Sequence, residues 1–273
     1  MVRKSNQYSN MLNRIVTAFV FLAAFSCGAP AGNEQSRQVA TYDEAYLKSF
    51  VHQLPSMGDS VAGKRLDSLL RSAAGDSIVF RQTVYFLHQP LSSPNSAYRN
   101  DDLFEQLLQW QLSSKWFSVE EQELARGRLH LVRQNRPGKP ANNFTFITPA
   151  GKKQQLYDIP AKYLLLYFNN PECDACKEMR KSLVASAVIR RKLESGELKL
   201  LSVYTDTTVS KWKAHLKDYP AAWIHGRDEQ EFLHKNKVYD LRAIPTLYLL
   251  DSGKRVVLKD VLEVAVIEGK VGF

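Results

Sequence analysis

The sequence predicts two parts, a small all-helical domain followed by an α/β domain in which helices flank a central mixed sheet. Apolar residues recur at helical spacing through residues 41–135. The Pro- and Gly-containing residues 136–140 then interrupt this pattern. Beyond them, short apolar strands alternate with helical stretches, an order that is typical of a sheet covered by helices. A chain of 273 residues is long enough for two such domains.

The composition excludes several classes of protein. With 44% hydrophobic and 24% charged residues, the chain fits neither a disordered nor a fibrous protein. Its net charge of +9 could attract nucleic acid, but the basic residues are spread out without forming a stripe. We therefore expect no nucleic-acid partner. No apolar run approaches the roughly 20 residues that cross a bilayer, and we expect no permanent membrane span.

The N-terminus resembles a targeting signal. A basic stretch ends at Arg14, residues 15–25 form a short apolar core, and small residues then lead to Cys27. This order resembles a bacterial lipoprotein signal, which implies that residues 1–26 are removed and that Cys27 is lipidated. An ordinary secretion signal cleaved nearby, with Cys27 incidental, is the alternative. The small and polar residues 27–40 would form a tether with a reach of about 20 Å.

The helical domain is predicted from capping patterns and apolar spacing. Two capping boxes begin helices, Thr41 with Glu44 and Ser118 with Glu121. The apolar stretch at residues 76–88 predicts a buried helix, which we expect Pro90 and Pro94 to end. The apolar residues at helical spacing include Ala62, Leu66, Leu69, Leu70, Ala73, Phe104, Leu107, Leu108 and Leu112. Together these features predict a small bundle that buries its own core.

The α/β domain is placed at residues 144–273, after a linker at residues 136–143. Its predicted strands lie at residues 144–148, 163–169, 198–204, 246–250 and 256–259, and its predicted helices at residues 173–194 and 208–217. The second of these strands is almost continuously apolar, which predicts a central position in the sheet. Gly253 suits a hairpin turn between the last two strands.

Two cysteines, Cys173 and Cys176, lie between an apolar strand and a helix. If Cys27 is lipidated, they are the two that remain, and in an exported protein they can form one local, reversible bridge. The N–H groups at a helix N-terminus would stabilise a thiolate on Cys173. Cys176, one turn further along, could then attack the mixed disulfide that Cys173 forms with a client.

Pro245 directly precedes a predicted strand. Proline cannot donate a hydrogen bond to a sheet, and a cis peptide bond would account for its position. A cis bond would turn the carbonyl and N–H of Ile244 toward the two cysteines. There these groups could hold an extended client backbone as an added strand.

A Cys-x-x-Cys pair after a buried strand, followed by Ile-Pro-Thr at the start of a hairpin, resembles the thioredoxin fold. Residues 239–246 (YDLRAIPT) are similar to the corresponding thioredoxin stretch. The wider chain resembles Bacteroidetes-type lipoproteins that place an uncharacterised helical domain before an envelope thiol–disulfide oxidoreductase. The resemblance implies that Cys173 is the nucleophile, that Cys176 is the resolving thiol, and that Ile244 and Pro245 form the client-docking edge.

The sequence departs from that family at three places. Thioredoxins carry a buried Asp six residues before the first cysteine, where it helps to deprotonate the resolving thiol, and here that position is Tyr167. Glu172 stands where Trp is usual. The expected C-terminal helix is short and interrupted by Gly269 and Gly272. The sequence therefore does not identify a proton acceptor for Cys176.

The residues beside Cys173 suggest a redox direction. Glu172 and Asp174 place negative charge near the first thiol, which disfavours the thiolate and so favours the disulfide. We therefore predict a reductant. Its potential should lie nearer to that of thioredoxin, about −270 mV, than to that of a strong oxidant of this fold, about −120 mV.

These residues also allow other interpretations, which their chemistry disfavours. A zinc site needs four ligands, and the sequence has no second cysteine pair, so we expect no metal and no cofactor. Copper carriage would need a nearby histidine, and His215, His225 and His234 are expected to be surface or structural residues. Trp212 and Trp223 could form a platform for a client, but we expect them to pack over the sheet.

The sequence predicts a membrane-anchored, periplasm-facing thiol–disulfide oxidoreductase that reduces protein disulfides through Cys173 and Cys176. Its partners would be client proteins, an upstream electron donor and, through the lipid on Cys27, the bacterial envelope, where we expect the outer membrane. The alternative is a non-catalytic binding lipoprotein on a thioredoxin-like scaffold. Tyr167 in place of the acid favours this alternative, and the retained cysteines and Pro245 favour the enzyme.

Overall fold

The computed structural model of the protein describes residues 4–5 and 42–272. The helices of the N-terminal part are α1 (Glu44–Gln53), α2 (Asp59–Ala73), α3 (Ser77–Ser92), α4 (Asp101–Ser113) and α5 (Val119–Arg133). Their apolar faces form one core, whose fully buried members include Leu66, Leu70, Phe80, Leu87 and Leu107. The predicted helical region is therefore confirmed. Apart from Lys4–Ser5, the predicted signal and tether lie outside the described residues, and so does Cys27.

Of the two predicted capping boxes, the structure describes one completely and the other only in part. The capping box of Ser118 and Glu121 is confirmed, because each side chain bonds the backbone N–H of the other residue. At the start of α1 the cap is Asp43, whose carboxylate accepts a hydrogen bond from the Tyr46 N–H at 2.7 Å. Asp43 stands immediately before the first helical residue, where an acceptor reaches the orphan N–H groups. The predicted partner Thr41 lies outside the described residues.

Helix α3 ends between the two prolines that are predicted to end it, so Pro90 itself does not end the helix. The helix continues to Ser92, with Pro90 inside its last turn. Proline removes only one backbone donor, and the helical pattern resumes when the Ser93 N–H donates to the Gln89 carbonyl at 3.0 Å. The helix then ends against the α/β domain, where its last carbonyl meets a side chain of that domain.

The second part is a mixed sheet flanked by helices, as predicted. Its strands are β2 (Thr145–Ile147), β3 (Lys153–Gln155), β4 (Tyr163–Asn169), β5 (Leu198–Tyr204), β6 (Ile224–Arg227), β8 (Thr246–Asp251) and β9 (Val256–Lys259), in the spatial order β3-β2-β6-β5-β4-β8-β9. Strand β4 pairs in parallel with β5 and antiparallel with β8. This confirms its predicted place in the interior of the sheet.

The remaining elements of this part are helices and two very short strands. The helices are α6 (Asp174–Ala185), α7 (Ala187–Glu194), α8 (Val209–His215), α9 (Phe232–Lys235) and α10 (Val264–Val271). The short strands are β1 (Lys4–Ser5) and β7 (Ala243–Ile244), which pair antiparallel with each other. Among residues 4–5 and 42–272, no helix has the length and apolar character that a membrane span requires.

Sequence reasoning missed the strands β3 and β6. Strand β3 is an exposed edge strand made of Lys and Gln, so it carries no apolar signal. Strand β6 contains Gly226, which looks like a strand breaker. Here glycine is needed, because a Cβ atom at this position would lie 2.4 Å from the ring of Phe146. The close approach of the Phe146 ring to the backbone of β6, visible only in the fold, explains the residue.

Two further expectations about the α/β part are corrected, and two are confirmed. The single helix expected at residues 173–194 is broken at Ser186, which ends α6 and caps α7 by accepting from the Ile189 N–H at 3.0 Å. The predicted hairpin between β8 and β9 is present with Gly253 in its turn, and the left-handed conformation is that of Lys254 (φ 60°). Helix α10 runs through Gly269 without interruption. The helix expected at residues 208–217 is seen as α8.

Candidate active site

The first cysteine of the pair caps the helix that follows the central strand. Strand β4 ends at Asn169, and after a short loop Cys173 becomes the N-cap of α6. Its sulfur accepts a hydrogen bond from the Cys176 N–H at 3.4 Å. The sulfur thus occupies the place that a Ser or Asp oxygen takes at an ordinary N-cap. At this place the helix dipole and the N–H groups stabilise negative charge.

The two sulfurs differ in accessibility. Cys173 is 6% exposed and Cys176 is 1% exposed, so the first thiol is the outer one of the pair. This order matches the roles that the sequence predicts, in which an incoming disulfide meets Cys173 before Cys176.

The proline loop lies directly beside the outer sulfur. The Ile244–Pro245 peptide bond is cis, as expected. The thiol of Cys173 lies 3.8 Å from the carbonyl oxygen of Ile244. The structure therefore brings together all four predicted site residues of the α/β domain, Cys173, Cys176, Ile244 and Pro245. The two pairs are about seventy positions apart in the chain.

Tyr167 lies beneath the cysteine pair and does not replace the missing acid. Its hydroxyl donates a 2.6 Å hydrogen bond to the carbonyl oxygen of Cys176. Burial, followed by the nearby Cys176, raises the pKa of Tyr167 well above that of an ordinary tyrosine. The side chain is therefore a neutral phenol that fixes the first turn of α6. A group that stays protonated cannot accept a proton from the resolving thiol.

A buried polar network continues from Tyr167 along the ends of the central strands. The amide of Asn169 donates to the Ser202 hydroxyl at 2.8 Å and accepts from the Tyr219 hydroxyl at 2.7 Å. The guanidinium of Arg180 lies 4.5 Å above the Tyr219 ring. Burial raises the pKa of Tyr219 to about 12, although Arg180 opposes this shift. The sequence analysis does not predict this network; its one signal is the presence of Asn169 and Ser202 in mostly apolar strands.

Each acidic residue beside Cys173 is paired with a lysine. The carboxylate of Glu172 lies 2.8 Å from the ammonium of Lys211, and that of Asp174 lies 3.1 Å from the ammonium of Lys177. These pairs weaken the negative potential that the sequence alone suggests at the thiol. Glu172 and Asp174 therefore change the redox potential only slightly, because exposed charges interact weakly with their neighbours.

The aromatic and histidine residues near the site are structural. Trp212 and Trp223 are buried, which confirms the expectation that they pack over the sheet. His215 bonds the Asp218 carboxylate at 2.7 Å, and His225 packs against Tyr219. Within residues 4–5 and 42–272, no three His, Cys, Asp or Glu side chains converge as metal ligands would.

Comparisons with known proteins identify the class of this fold. A family model described as thioredoxin-like matches residues 161–256, the segment that carries both cysteines and the cis proline. The crystal structure of a thioredoxin-like protein from Bacteroides caccae ATCC 43185 is 32% identical and has a TM-score of 0.78, covering 84% of this chain and 82% of that one. The chain therefore belongs to the thioredoxin-like family. A match of this length extends into the helical region.

Two further similarities cover less of the chain. The C-terminal domain of an uncharacterized protein from Bacteroides fragilis NCTC 9343 is 44% identical, covers 51% of this chain and 99% of that one, and has a TM-score of 0.49. Nucleoredoxin from Xenopus laevis is 25% identical over 109 residues, which are 40% of this chain. The match spans only 26% of the length of that nucleoredoxin.

Proposed function

We propose that this protein is a thiol–disulfide oxidoreductase that reduces disulfides in client proteins. One observation carries the proposal: the Cys173 sulfur accepts the Cys176 N–H at a helix N-terminus while lying 3.8 Å from the Ile244 carbonyl. The first contact favours a thiolate, and the second places a backbone acceptor where a client chain would lie.

The reaction proceeds by two thiol–disulfide exchanges. The Cys173 thiolate attacks one sulfur of the client disulfide, and the other client sulfur leaves as a thiolate. The Cys176 thiolate then attacks the Cys173 sulfur, which closes the Cys173–Cys176 disulfide and releases the second client thiolate. Two electrons pass to the client, and its two thiolates take up the protons that the two cysteines lose. An upstream dithiol must then reduce the protein again.

The docking edge for the client is β7. In the structure this edge pairs antiparallel with Lys4–Ser5, with Lys4 opposite Ile244 and Ser5 opposite Ala243. An extended backbone can therefore occupy the edge beside Pro245. Because Lys4 and Ser5 belong to the predicted signal, the mature protein would present this edge to a client.

The proposed location rests on the sequence. Lipidation of Cys27 would tether the protein to the bacterial envelope, facing the periplasm, with the outer membrane as the expected site. Incorporation of labelled palmitate that disappears in Cys27→Ser would support this proposal. Unchanged labelling of that variant, or a chain released without lipid, would contradict it.

A second candidate is a non-catalytic binding protein on a thioredoxin-like scaffold, in which Cys173 and Cys176 form a purely structural disulfide. The neutral Tyr167 favours it, because the acid that assists the resolving thiol in thioredoxins is missing. Insulin reduction with a dithiol donor separates the two candidates. We expect the wild type to be far faster than Cys173→Ser. Equal rates for the two proteins would favour the scaffold.

A further inference from the structure

The loop that leads to the cis proline is attached to the helical region. The guanidinium of Arg242 donates to the carbonyl of Ser92, at the C-terminal end of α3, at 3.1 Å. The same guanidinium bonds both carboxylate oxygens of Asp240, at 2.8 and 2.7 Å. A cation is favourable at a helix C-terminus, where the last carbonyls carry partial negative charge.

A second arginine, Arg99, contacts the same loop. Arg99, in the segment between α3 and α4, lies 3.3 Å from the Asp240 carboxylate and forms an ion pair with Asp260. The Asp240 side chain is 5% exposed and that of Arg99 is 15% exposed. Burial alone would raise the pKa of Asp240, but the Arg242 hydrogen bonds and the charges of Arg242 and Arg99 lower it. The carboxylate therefore stays ionised between its two arginines.

A third attachment lies at the end of α5. The ammonium of Lys259, on β9, donates to the carbonyls of Val132 and Gln134 at 3.1 and 3.0 Å and lies 2.7 Å from the Asp101 carboxylate. Hydrogen bonds and ion pairs thus hold the helical region against both β9 and the 239–242 loop. Buried charges of this kind hold their partners in one geometry, because moving either partner leaves the other unpaired.

The contacts of Arg242 lie close in the chain to the residue beside the reactive sulfur. Only Ala243 separates Arg242 from Ile244, the residue whose carbonyl lies 3.8 Å from the Cys173 sulfur. Ala243 is itself buried, and its carbonyl accepts from the Thr246 hydroxyl at 2.7 Å. A shift of Arg242 would therefore move the docking edge relative to Cys173.

We propose that the helical region positions the client-docking edge and that Arg99 is its positioning residue. The inference rests on the proposed function and assigns a role to the helical region. Arg99 and Ser92 fix Asp240 and Arg242, and these hold the Ile244 backbone at the spacing that a protein client needs. A small disulfide has no backbone to be held, so its reaction with Cys173 does not depend on this spacing.

The test compares two disulfides in Arg99→Ala. For insulin we expect KM to rise about tenfold with kcat within about twofold of the wild type, a loss confined to client binding. The second-order rate of the reduced protein with a small aromatic disulfide should change by less than about twofold. Amide exchange should quicken in residues 240–244 and stay unchanged in β4. If Arg99→Ala does not fold, Arg99→Lys replaces it in the same test. Lysine keeps the positive charge but lacks the guanidinium that contacts several carboxylates at once, so we expect a smaller rise in KM.

Arg126→Ala is the matched control. Arg126 lies in α5 of the same helical region, and its exposed ion pair is with Glu123 of the same helix. Its KM for insulin should equal that of the wild type. An unchanged KM in folded Arg99→Ala, or an equal loss for both disulfides, would overturn the inference. Failure of the proposed function is distinct, because the wild type itself would then reduce no insulin.

Discussion

The hydroxyl of Tyr167 donates a 2.6 Å hydrogen bond to the carbonyl of Cys176, directly beneath the reactive pair. At this position thioredoxins carry an acid, so the residue that would deprotonate the resolving thiol is replaced by one that fastens the helix. The proton of Cys176 must therefore leave by another path. The resolving step is the part of the cycle in which this protein should differ from thioredoxins.

Replacement of Tyr167 by Phe tests whether the phenol is structural. We expect a stability loss of about 1 kcal/mol in urea unfolding, since one buried hydrogen bond is removed. Insulin reduction should stay within about twofold of the wild type. Tyr239→Phe is the control. The hydroxyl of Tyr239 donates a 2.8 Å hydrogen bond to the Asn142 carbonyl, and neither residue is part of the cysteine site. A fall in rate beyond tenfold in Tyr167→Phe alone would show that the phenol takes part in proton transfer.

The charges beside Cys173 predict the sign of a change in redox potential. In Glu172→Gln/Asp174→Asn the thiolate gains stability, so the potential should rise, by about 20 mV given that 30 mV corresponds to about 1.4 kcal/mol. Lys211→Gln leaves the Glu172 charge unpaired and should lower the potential. Equilibration with glutathione measures each protein. A wild-type value above about −195 mV, midway between thioredoxin and the strong oxidant, would reverse the assignment as a reductant.

His88 makes the stability of the helical region depend on pH. Burial lowers its pKa to about 4, with the charge of Arg128 acting in the same direction and a hydrogen bond with Gln111 opposing both. Between about pH 6.5 and 4 the unfolded chain binds a proton that the folded chain does not, so stability falls as the pH falls.

The size of this effect is measured by comparison with His88→Gln. Burial raises the pKa of Asp228 to about 6, so this residue makes the folded protein less stable as the pH rises. Because both proteins contain Asp228, its effect cancels in the comparison. Urea unfolding should show the wild type losing up to about 3 kcal/mol relative to His88→Gln between pH 7 and 4. Parallel stability curves would contradict the buried, neutral histidine.

Gly226 tests the packing of β6 against β2. In Gly226→Ala the new methyl group would meet the Phe146 ring at 2.4 Å, and we expect about 2 kcal/mol of destabilisation. Gly253→Ala is the control, because its Cβ would meet only the Asp251 carboxylate at 3.5 Å. Thermal unfolding of both variants gives the comparison. Equal stability of the two variants would contradict the close packing of the Phe146 ring against Gly226.

The parts of the fold that the sequence predicts are those with a strong local signal. Strand β4 and strand β5 have the predicted bounds, because long apolar runs define buried strands. The polar strand β3 and the break at Ser186 have no such signal. They depend on pairing with β2 and on a serine that can both end one helix and cap the next.

The candidate site divides in the same way. Cys173 and Pro245 are evident from motifs, and their predicted proximity needs only the resemblance to a known fold. The contact of Arg99 with Asp240 joins residues 141 positions apart and depends on how the helical region packs against the sheet, which no local pattern encodes. The hydrogen bond of Tyr167 is similarly hidden, since tyrosine in a buried strand looks like an ordinary core residue.

The central claim is that Cys173 attacks client disulfides and Cys176 releases them. Cys176→Ser, reduced and mixed with insulin, tests it most directly, since the first exchange can occur and the second cannot. The account predicts a covalent adduct at Cys173 that dithiothreitol dissolves and that the double variant Cys173→Ser/Cys176→Ser does not form. The absence of an adduct with folded Cys176→Ser would contradict it.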